Sequence, residues 1–356
     1  MQIGADIMHI FNYNFLKFIN IPSSFISMTS YIAELQNESV RKKVEFPTLF
    51  TRLQSIAIVQ SIKTSNQIEG LVTSDKRIKE IIEQDSAPLN HTEQEIAGYR
   101  DALKFIHENY SILQMSEEMI LNLHSILLSK TNYEHKGQYK RKDNIITERF
   151  KDGTTRIRFK PVKADETSFA MEQLVLAFLE ANSDPSINKL LLIPCFILDF
   201  LCIHPFEDGN GRMSRLLTLL LLYNTKYDIF KYISFEQQIN KIKDRYYYSL
   251  KESSINWHEN KNDYIPFIEN FIFTLYLCYL ELDKRFLTLK SGKVSKTKRI
   301  EEIILNSFIP ISKKEIYELV PDVSISTIEA VLSRLIKENK IIKLGSTINA
   351  KYFKNM

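Results

Sequence analysis

The sequence of 356 residues predicts a mainly α-helical fold. Glycine and proline are scarce, at 9 and 10 residues, so few positions interrupt a helix. Apolar residues recur three and four positions apart, which is the spacing of one helical face; Ile96, Tyr99, Leu103 and Ile106 are an example. Two β-rich stretches, one near the middle and one at the C-terminus, interrupt this pattern.

Residues 1–90 are expected to form an N-terminal helical region. The first 45 residues predict an irregular lead-in with a short helix near Thr29–Gln36. A longer helical pattern starts at Thr48 and stops at Gly70, a residue type favoured just after a helix C-terminus.

Residues 91–289 are expected to form a helical core that contains one hairpin. The β-rich runs NIITERF and TTRIRFKPV are separated by Lys151, Asp152 and Gly153. An Asp-Gly pair between two such runs indicates a hairpin, here over 144–160. Helices are then expected at about Asn188–Ile203, 210–224 and Phe235–Ser253.

Residues 290–356 predict a winged helix-turn-helix domain, because a polar basic linker is followed by three short helical segments and a terminal hairpin. This part has 13 Lys/Arg and 7 Asp/Glu, a net charge of +6 against +4 for the whole chain. The surplus is compatible with DNA binding, although the outward face of the third helix is only weakly basic, and protein binding or dimerisation through this domain stays open. That helix is expected to bury Ile325, Ile328, Val331, Leu332 and Leu335.

Composition and the termini exclude several other classes of protein. Cys195, Cys202 and Cys278 lie in apolar helical stretches, so we expect reduced core thiols, with neither a disulfide framework nor a catalytic cysteine. The sequence contains no run of about 18 uninterrupted apolar residues, so we expect no membrane span. The N-terminus has an early acid and no basic start, unlike a signal peptide, so we expect a cytoplasmic protein.

The stretch HPFEDGNGRMSR, His204–Arg215, lies between the apolar runs Leu190–Phe200 and Leu216–Leu222. The N-terminus of the second helix presents unpaired N–H groups and binds anions. Residues 209–211, Gly-Asn-Gly, let the backbone come close to an anion, and the Asn210 amide can donate to it. Arg212 and Arg215 share a helix face and can both reach a phosphate chain.

Two further residues of this stretch indicate chemistry at the phosphates. Asp208 supplies a carboxylate of the kind that binds Mg²⁺ together with phosphate oxygens. His204 has an ordinary pKa of about 6.5 and can accept a proton from a hydroxyl near neutral pH. Each residue type alone is usually structural; their order between two core helices favours a nucleotide site.

The stretch resembles the Fic domain signature, HPFx(D/E)GNGRxxR, at every fixed position, and the surrounding helices resemble the family over roughly residues 48–285. The resemblance implies a Fic-type helical core with a β-hairpin flap. It also implies transfer of a nucleoside monophosphate, usually AMP from ATP with Mg²⁺, to a hydroxyl of a target protein. Phe206 would then anchor the loop, and the flap at 144–160 would hold the target by strand addition.

The resemblance further implies roles for single residues of the motif. His204 would be the general base, and Asp208 would bind Mg²⁺. The phosphate contacts would come from Gly209, Asn210, Gly211, Arg212 and Arg215, the last at the γ-phosphate. Tyr246 and Tyr247 in KDRYYYSL are similar to a Tyr-Tyr segment that lines the nucleotide pocket.

SNQIEG, Ser65–Gly70, matches the inhibitory pattern (S/T)xxxE(G/N) of the same family. Ser65 and Glu69 are four residues apart and share a helix face. The resemblance implies that Glu69 pairs with Arg215 and takes the place of the γ-phosphate. A glutamate opposes the helix dipole at this position, which favours a separate reason for its presence.

Three alternatives remain open from the sequence. The chain could be a transcriptional regulator that only senses a nucleotide, although such a protein needs no base like His204. It could use another nucleotide, or it could remove AMP from a modified protein with a water oriented by Glu69. A homodimer is a further expectation from the family.

Overall fold

Helices dominate the computed structural model, which describes residues 9–149, 153–225, 227–290, 295–305, 310–320, 322–345 and 350–355, and the mainly α prediction is confirmed. In chain order, the α-helices are α1 (Ser23–Glu45), α2 (Pro47–Ile68), α3 (Asp75–Glu83), α4 (His91–Asn109), α5 (Glu117–Leu127), α6 (Thr167–Ser183), α7 (Lys189–Ile203), α8 (Asn210–Asn224), α9 (Phe235–Lys241), α10 (Lys243–Ser254), α11 (Ile265–Lys290), α12 (Lys296–Leu305), α13 (Lys313–Leu319) and α14 (Ile325–Lys337). The strands are β1 (Ile146–Arg149), β2 (Thr155–Phe159), β3 (Ile311–Ser312), β4 (Ile341–Leu344) and β5 (Lys351–Lys354). Short 3₁₀ helices cover Asn14–Lys17, Ala164–Glu166 and Asp228–Lys231.

The chain forms two compact units. The first contains Met1–Ser30, Ser61–Asp228 and Phe235–Tyr276, and the second contains Tyr31–Gln60, Ile229–Ser234 and Leu277–Met356. The three domains expected from the sequence, with boundaries at residues 90 and 289, divide the chain differently and stay predictions.

The first unit is built around α7 and α8. Every residue of α7 from Leu190 to Ile203 is buried, as are those of α8 from Arg212 to Tyr223. Helices that are apolar on all sides belong in a core, and α7 packs between α6 and α8. The loop that joins α7 to α8, residues 204–209, therefore starts and ends on two immobile helices.

A buried carboxylate on α7 holds distant parts of this unit together. Asp199 is fully buried and accepts hydrogen bonds from the Tyr13 hydroxyl at 2.7 Å, the Trp257 indole at 2.7 Å and the Tyr264 hydroxyl at 2.8 Å. His9 stacks on Trp257 with ring centroids 4.0 Å apart. Burial raises the pKa of Asp199, and the three donors compensate for its lost solvation.

The predicted hairpin is present as the antiparallel pair β1 and β2. Ile146 pairs with Phe159, but the next residue, Thr147, pairs with Ile157, so Arg158 is an extra residue in β2. This is a β-bulge, which bends a strand and redirects a side chain. Of the predicted turn, Lys151 and Asp152 lie outside the described residues, whereas Gly153 has a positive φ of 85°.

In the second unit, α12, α13 and α14 share a core with a three-stranded antiparallel sheet in the order β3-β5-β4. Ser312 begins α13 with a capping box that includes Glu315. The three helices and the strand pair β4 and β5 follow the order expected from the sequence, whereas β3 was not expected; the winged helix-turn-helix itself stays a prediction. Ile325, which we expected to be buried, is 56% exposed, because it is the first residue of α14.

Helix boundaries differ from the prediction at two other places. The expected short helix at Thr29–Gln36 is part of the 23-residue α1, whose buried Phe25, Ile32 and Leu35 are separated by a mixture of polar and apolar residues. The helix expected over Phe235–Ser253 is two helices that meet at Ile242.

The thiols and the apolar helix α11 are core features. All three cysteines are buried, and burial raises the pKa of the Cys195 and Cys202 thiols, which opposes a thiolate nucleophile.

Within the described residues, α11 has one stretch, Ile265–Arg285, that is long and apolar enough to span a bilayer. An 18-residue window of this stretch is 56% buried inside the protein. Core helices commonly meet these two criteria, and the absence of a membrane segment stays a prediction.

Candidate active site

The loop between α7 and α8 has left-handed backbone at both ends. His204 ends α7 with φ 52° and ψ 61°, and Gly209 precedes α8 with φ 83°. A residue other than glycine seldom adopts this conformation, which costs on the order of 1 kcal/mol, and strained residues of this kind cluster at active sites. Leu127 and His124 lie against Gly209, so a side chain there would be both strained and crowded.

The interior of the loop is fixed by Phe206 and Asn210. The Phe206 ring is fully buried, and its backbone N–H donates to Asn210 Oδ1 at 2.9 Å while its carbonyl accepts from Asn210 Nδ2 at 2.7 Å. Phe206 thus anchors the loop as the resemblance implied. The Asn210 amide, expected to donate to an anion, instead holds the loop closed.

His124 of α5 contacts the same loop at Phe206 and Asp208. Its ring stacks on Phe206 at 3.7 Å, and its Nδ1 accepts from the Gly137 N–H at 3.0 Å. The proton is therefore on Nε2, which donates to the Asp208 carbonyl at 3.1 Å. Burial lowers the pKa of His124 to about 4, so the ring keeps this tautomer at neutral pH.

Lys140 and Asn144 hold the loop from the flap side. Lys140 Nζ donates to the Ile203 carbonyl and to Asn144 Oδ1, both at 3.0 Å. Asn144 Nδ2 donates to the Phe206 carbonyl at 3.2 Å. Burial lowers the pKa of Lys140 to about 8. The roles of His124 and Lys140 were not predicted from the sequence. A lone histidine on an apolar helix face and a lysine in a basic stretch carry no distinguishing pattern.

His204 is half-buried, and its Nδ1 donates to the Leu201 carbonyl at 3.3 Å. Its pKa is lowered to about 4, mainly by burial and also by the nearby charges of Lys140 and Arg158, whereas the Leu201 hydrogen bond and Glu69 raise it. A lowered histidine pKa means that the neutral ring prevails above about pH 4. At pH 7 Nε2 therefore has a free lone pair and can accept a proton.

The two motif arginines are buried and paired with carboxylates. Arg212 Nη1 lies 2.7 Å from Glu95 Oε2, and its Nη2 lies 3.0 Å from Asp208 Oδ2. Arg215 donates from Nε to Ser65 Oγ at 2.8 Å and from Nη2 to Glu69 Oε1, also at 2.8 Å. Glu95 was not identified from the sequence.

Glu69 lies directly at the N-terminus of α8. A Cβ added to Gly211 would collide with Glu69 Oε1, so only glycine at this position allows the carboxylate to approach the helix. The first turn of a 15-residue helix presents unpaired N–H groups and a partial positive charge. The structure thus brings the predicted Ser65 and Glu69 together with Arg215 at the predicted anion site.

A cavity of about 270 Å³ opens beside this pair. It is lined by nearly all of the site residues expected from the sequence: Glu69, His204, Asp208, Gly209, Asn210, Gly211, Arg212, Arg215, Tyr246 and Tyr247. The two tyrosine rings meet edge to face at 5.4 Å. Ile146, Arg158 and Phe159 of the hairpin also line the cavity and were not identified as site residues from the sequence.

Asp208 fits a cation that arrives with a nucleotide. Its side chain is 52% exposed and lines the cavity. Within the described parts of the chain, no three His, Cys, Asp or Glu side chains form a metal cluster. Mg²⁺ is usually held by only one or two carboxylates together with substrate phosphates, so one carboxylate beside an anion site is sufficient.

The His204 geometry predicts its protonation state. In a ¹⁵N-detected NMR titration, the His204 ring should be neutral at pH 7, with the proton on Nδ1 and a midpoint near pH 4. A His204→Asn variant identifies the resonance among the seven histidines. A midpoint near the ordinary value of about 6.5 would contradict the buried, singly hydrogen-bonded ring.

Comparison with known proteins matches this site to one family. Residues 114–222 match the Fic/DOC family. Over 226 residues the chain is 26% identical to the Protein adenylyltransferase Fic of Nematostella vectensis, a match that covers 60% of this chain and 45% of that protein. The chain therefore spans less than half of that relative.

Solved structures agree at the level of the fold. A Fic family protein from Desulfovibrio desulfuricans G20 has a TM-score of 0.61 at 20% identity and covers 94% of this chain and 97% of its own. A Fic domain containing signaling protein from Bacteroides thetaiotaomicron VPI-5482 has a TM-score of 0.54 at 19% identity, covering 73% of this chain and 97% of its own. Fic-1 from C. elegans has a TM-score of 0.53 at 18% identity, covering 75% and 74%. The chain carries a Fic domain on the helical fold of Fic proteins.

Proposed function

We propose that the chain is a protein adenylyltransferase that moves AMP from ATP to a hydroxyl of a target protein and is inhibited by Glu69. In this reaction the hydroxyl oxygen forms a bond to the α-phosphorus, and the bond from that phosphorus to the bridging α–β oxygen breaks. Pyrophosphate leaves, and the hydroxyl proton passes to the enzyme. The observation that carries the proposal is a carboxylate–arginine pair at a helix N-terminus beside a neutral histidine.

His204 is the residue suited to take the proton. Its Nδ1 hydrogen bond orients the ring and leaves Nε2 as the accepting nitrogen. Burial keeps it neutral at physiological pH, so no ring has to lose a proton before the reaction. The loop contacts of Phe206, His124 and Lys140 fix its position.

The phosphates of ATP belong at the N-terminus of α8. The backbone N–H groups of residues 209–211 and the partial positive helix end attract anions. Arg212 is oriented by Glu95 and points one nitrogen at Asp208. Mg²⁺ held by Asp208 and phosphate oxygens would neutralise part of the phosphate charge.

Glu69 makes this site inactive in the conformation described. Its carboxylate takes Arg215 Nη2 and crowds Gly211, so it occupies space and charge that a terminal phosphate needs. The side chain is still 34% exposed, and Ser65 retains its own bonds to Arg215. The Glu69 side chain can therefore move out of the site while α2 stays in contact with Arg215 through Ser65.

The hairpin supports a protein as the acceptor. Among the strands that the structure describes, β1 and β2 pair with each other alone, and hairpin side chains line the same cavity as His204. An extended target segment added to the hairpin would place a hydroxyl near that base.

Homodimerisation and DNA binding by residues 290–356 stay predictions. Arg334 on the outward face of α14 pairs with Glu301 at 2.8 Å, so part of that basic face is neutralised.

The reaction is tested by intact-mass analysis of self-modification. A Glu69→Gly variant with ATP and Mg²⁺ should gain the mass of AMP, and adding His204→Ala should lower the rate by about 10²–10⁴-fold while ATP binding persists. Assays with the other nucleoside triphosphates identify the donor. Loss of AMP from a modified protein without any gain would support AMP removal instead, and neither gain nor loss would favour a nucleotide sensor.

Inhibition is tested by comparing three proteins side by side. Glu69→Gly should raise the self-modification rate roughly 10- to 100-fold, the range that one hydrogen bond to a charged group is worth. Gln67→Gly is the control for an added glycine, because Gln67 is exposed in the last turn of α2, two residues before Glu69, and a glycine there costs at least as much helix stability. Equal rates for wild type and Glu69→Gly would remove Glu69 from the mechanism.

A further inference from the structure

Arg158 enters the cavity because of the bulge in β2. In a regular strand, neighbouring side chains point to opposite faces. Arg158 and Phe159 nevertheless both line the cavity, because Arg158 is the unpaired extra residue between the pairs of Phe159 and Ile157. Bulges occur often beside active sites, where they redirect one side chain. The hairpin thus delivers a guanidinium to the nucleotide site.

Among the residues that the structure describes, the Arg158 guanidinium has no carboxylate partner. Arg212 and Arg215, which line the same cavity, lie within 3.0 Å of Asp208 and Glu69 respectively. For Arg158, no ion pair is formed with any residue that the structure describes, and its buried Nε has no hydrogen-bond acceptor. A partly buried arginine without a partner is costly, and an anionic ligand that completes it offsets this cost.

The position of Arg158 decides which anion it meets. The charge of Arg158 acts on Cys202 and His204 at the end of α7, and these residues line the cavity together. Glu69 pairs with Arg215 at the first turns of α8. An anion held by Arg158 is therefore placed near the histidine, whereas a group at Arg215 takes the place that Glu69 has in this conformation. In a nucleoside triphosphate these two places suit the α-phosphate and the terminal phosphate.

We propose that Arg158 binds the non-bridging oxygens of the α-phosphate, and this assignment rests on the proposed adenylyl transfer. A guanidinium can donate two parallel N–H groups to such oxygens. When the target oxygen bonds to the α-phosphorus and pyrophosphate departs, the charge on those oxygens stays next to the guanidinium. Arg158 is therefore a catalytic residue of the hairpin, in addition to the motif residues.

Under this assignment, Arg158 and Arg215 act in different conformations of the site. Glu69 holds Arg215 in the inhibited conformation, but no carboxylate in the described parts of the chain holds Arg158. Arg158 consequently contributes to nucleotide affinity whether or not Glu69 is present. Arg215 contributes only after Glu69 has left.

The test is calorimetric titration of the full chain with ATP, AMP and adenosine. Arg158→Gln should weaken ATP and AMP to a similar extent, roughly 10- to 100-fold, and leave adenosine unchanged, because the lost contact is to the phosphate that ATP and AMP share. The loss should be the same with Glu69→Gly added. The matched control is Arg156→Gln, which removes the same charge from an exposed position two residues away on β2. Arg158→Lys should recover part of the affinity, because it keeps the charge without the fork.

Several results would overturn the assignment. Equal affinities for Arg158→Gln and Arg156→Gln would do so, as would a loss for ATP alone, which would place the contact beyond the α-phosphate. Unchanged nucleotide binding with a raised KM for the target would assign Arg158 to a target carboxylate instead. If the wild-type chain and Glu69→Gly both fail to bind ATP, the proposed function itself falls. Unchanged far-UV circular dichroism and Tm for each variant show that the comparison concerns folded protein.

Discussion

The ion pair between Glu69 and Arg215 is the interaction on which the rest of the site depends. Arg215 is almost completely buried in α8, so its charge requires an anionic partner at all times. In the conformation described, that partner is a carboxylate of the same chain, and in an active conformation we infer that it is a phosphate. Under the proposed function, the same buried arginine serves inhibition and substrate binding, and the two anions exclude each other.

The surrounding structure keeps this exchange local. The loop of residues 204–209 is fixed by Phe206, His124 and Lys140, and α7 and α8 are closely packed core helices. Glycine at position 211 leaves just enough room for an anion at the helix end. Replacement of one anion by another thus requires movement of the Glu69 side chain and no rearrangement of the catalytic loop.

The helical class and the grouping of the motif residues around one cavity could be predicted from the sequence, because each depends on a short, local pattern. Gly209 and Gly211 occupy a left-handed turn and a close approach that few other residues tolerate. The supporting contacts of His124, Lys140 and Glu95 could not be predicted, since their partners are distant in sequence. Arg158 was missed for another reason: regular alternation hides a bulge, and the side-chain direction depends on the register with β1. The sequence assigned the Asn210 amide to an anion. In the structure this amide instead bonds to the Phe206 backbone inside the loop.

The most direct measurement is a pair of crystal structures, of the wild type and of Glu69→Gly, each with Mg²⁺ and a non-hydrolysable ATP analogue. In the variant, the γ-phosphate should accept a hydrogen bond from Arg215 Nη2, and the α-phosphate should lie between His204 and Arg158. In the wild type, Glu69 should keep Arg215, and the γ-phosphate should lie elsewhere. An identical pose of the phosphates in both proteins would contradict the exchange of one anion for the other.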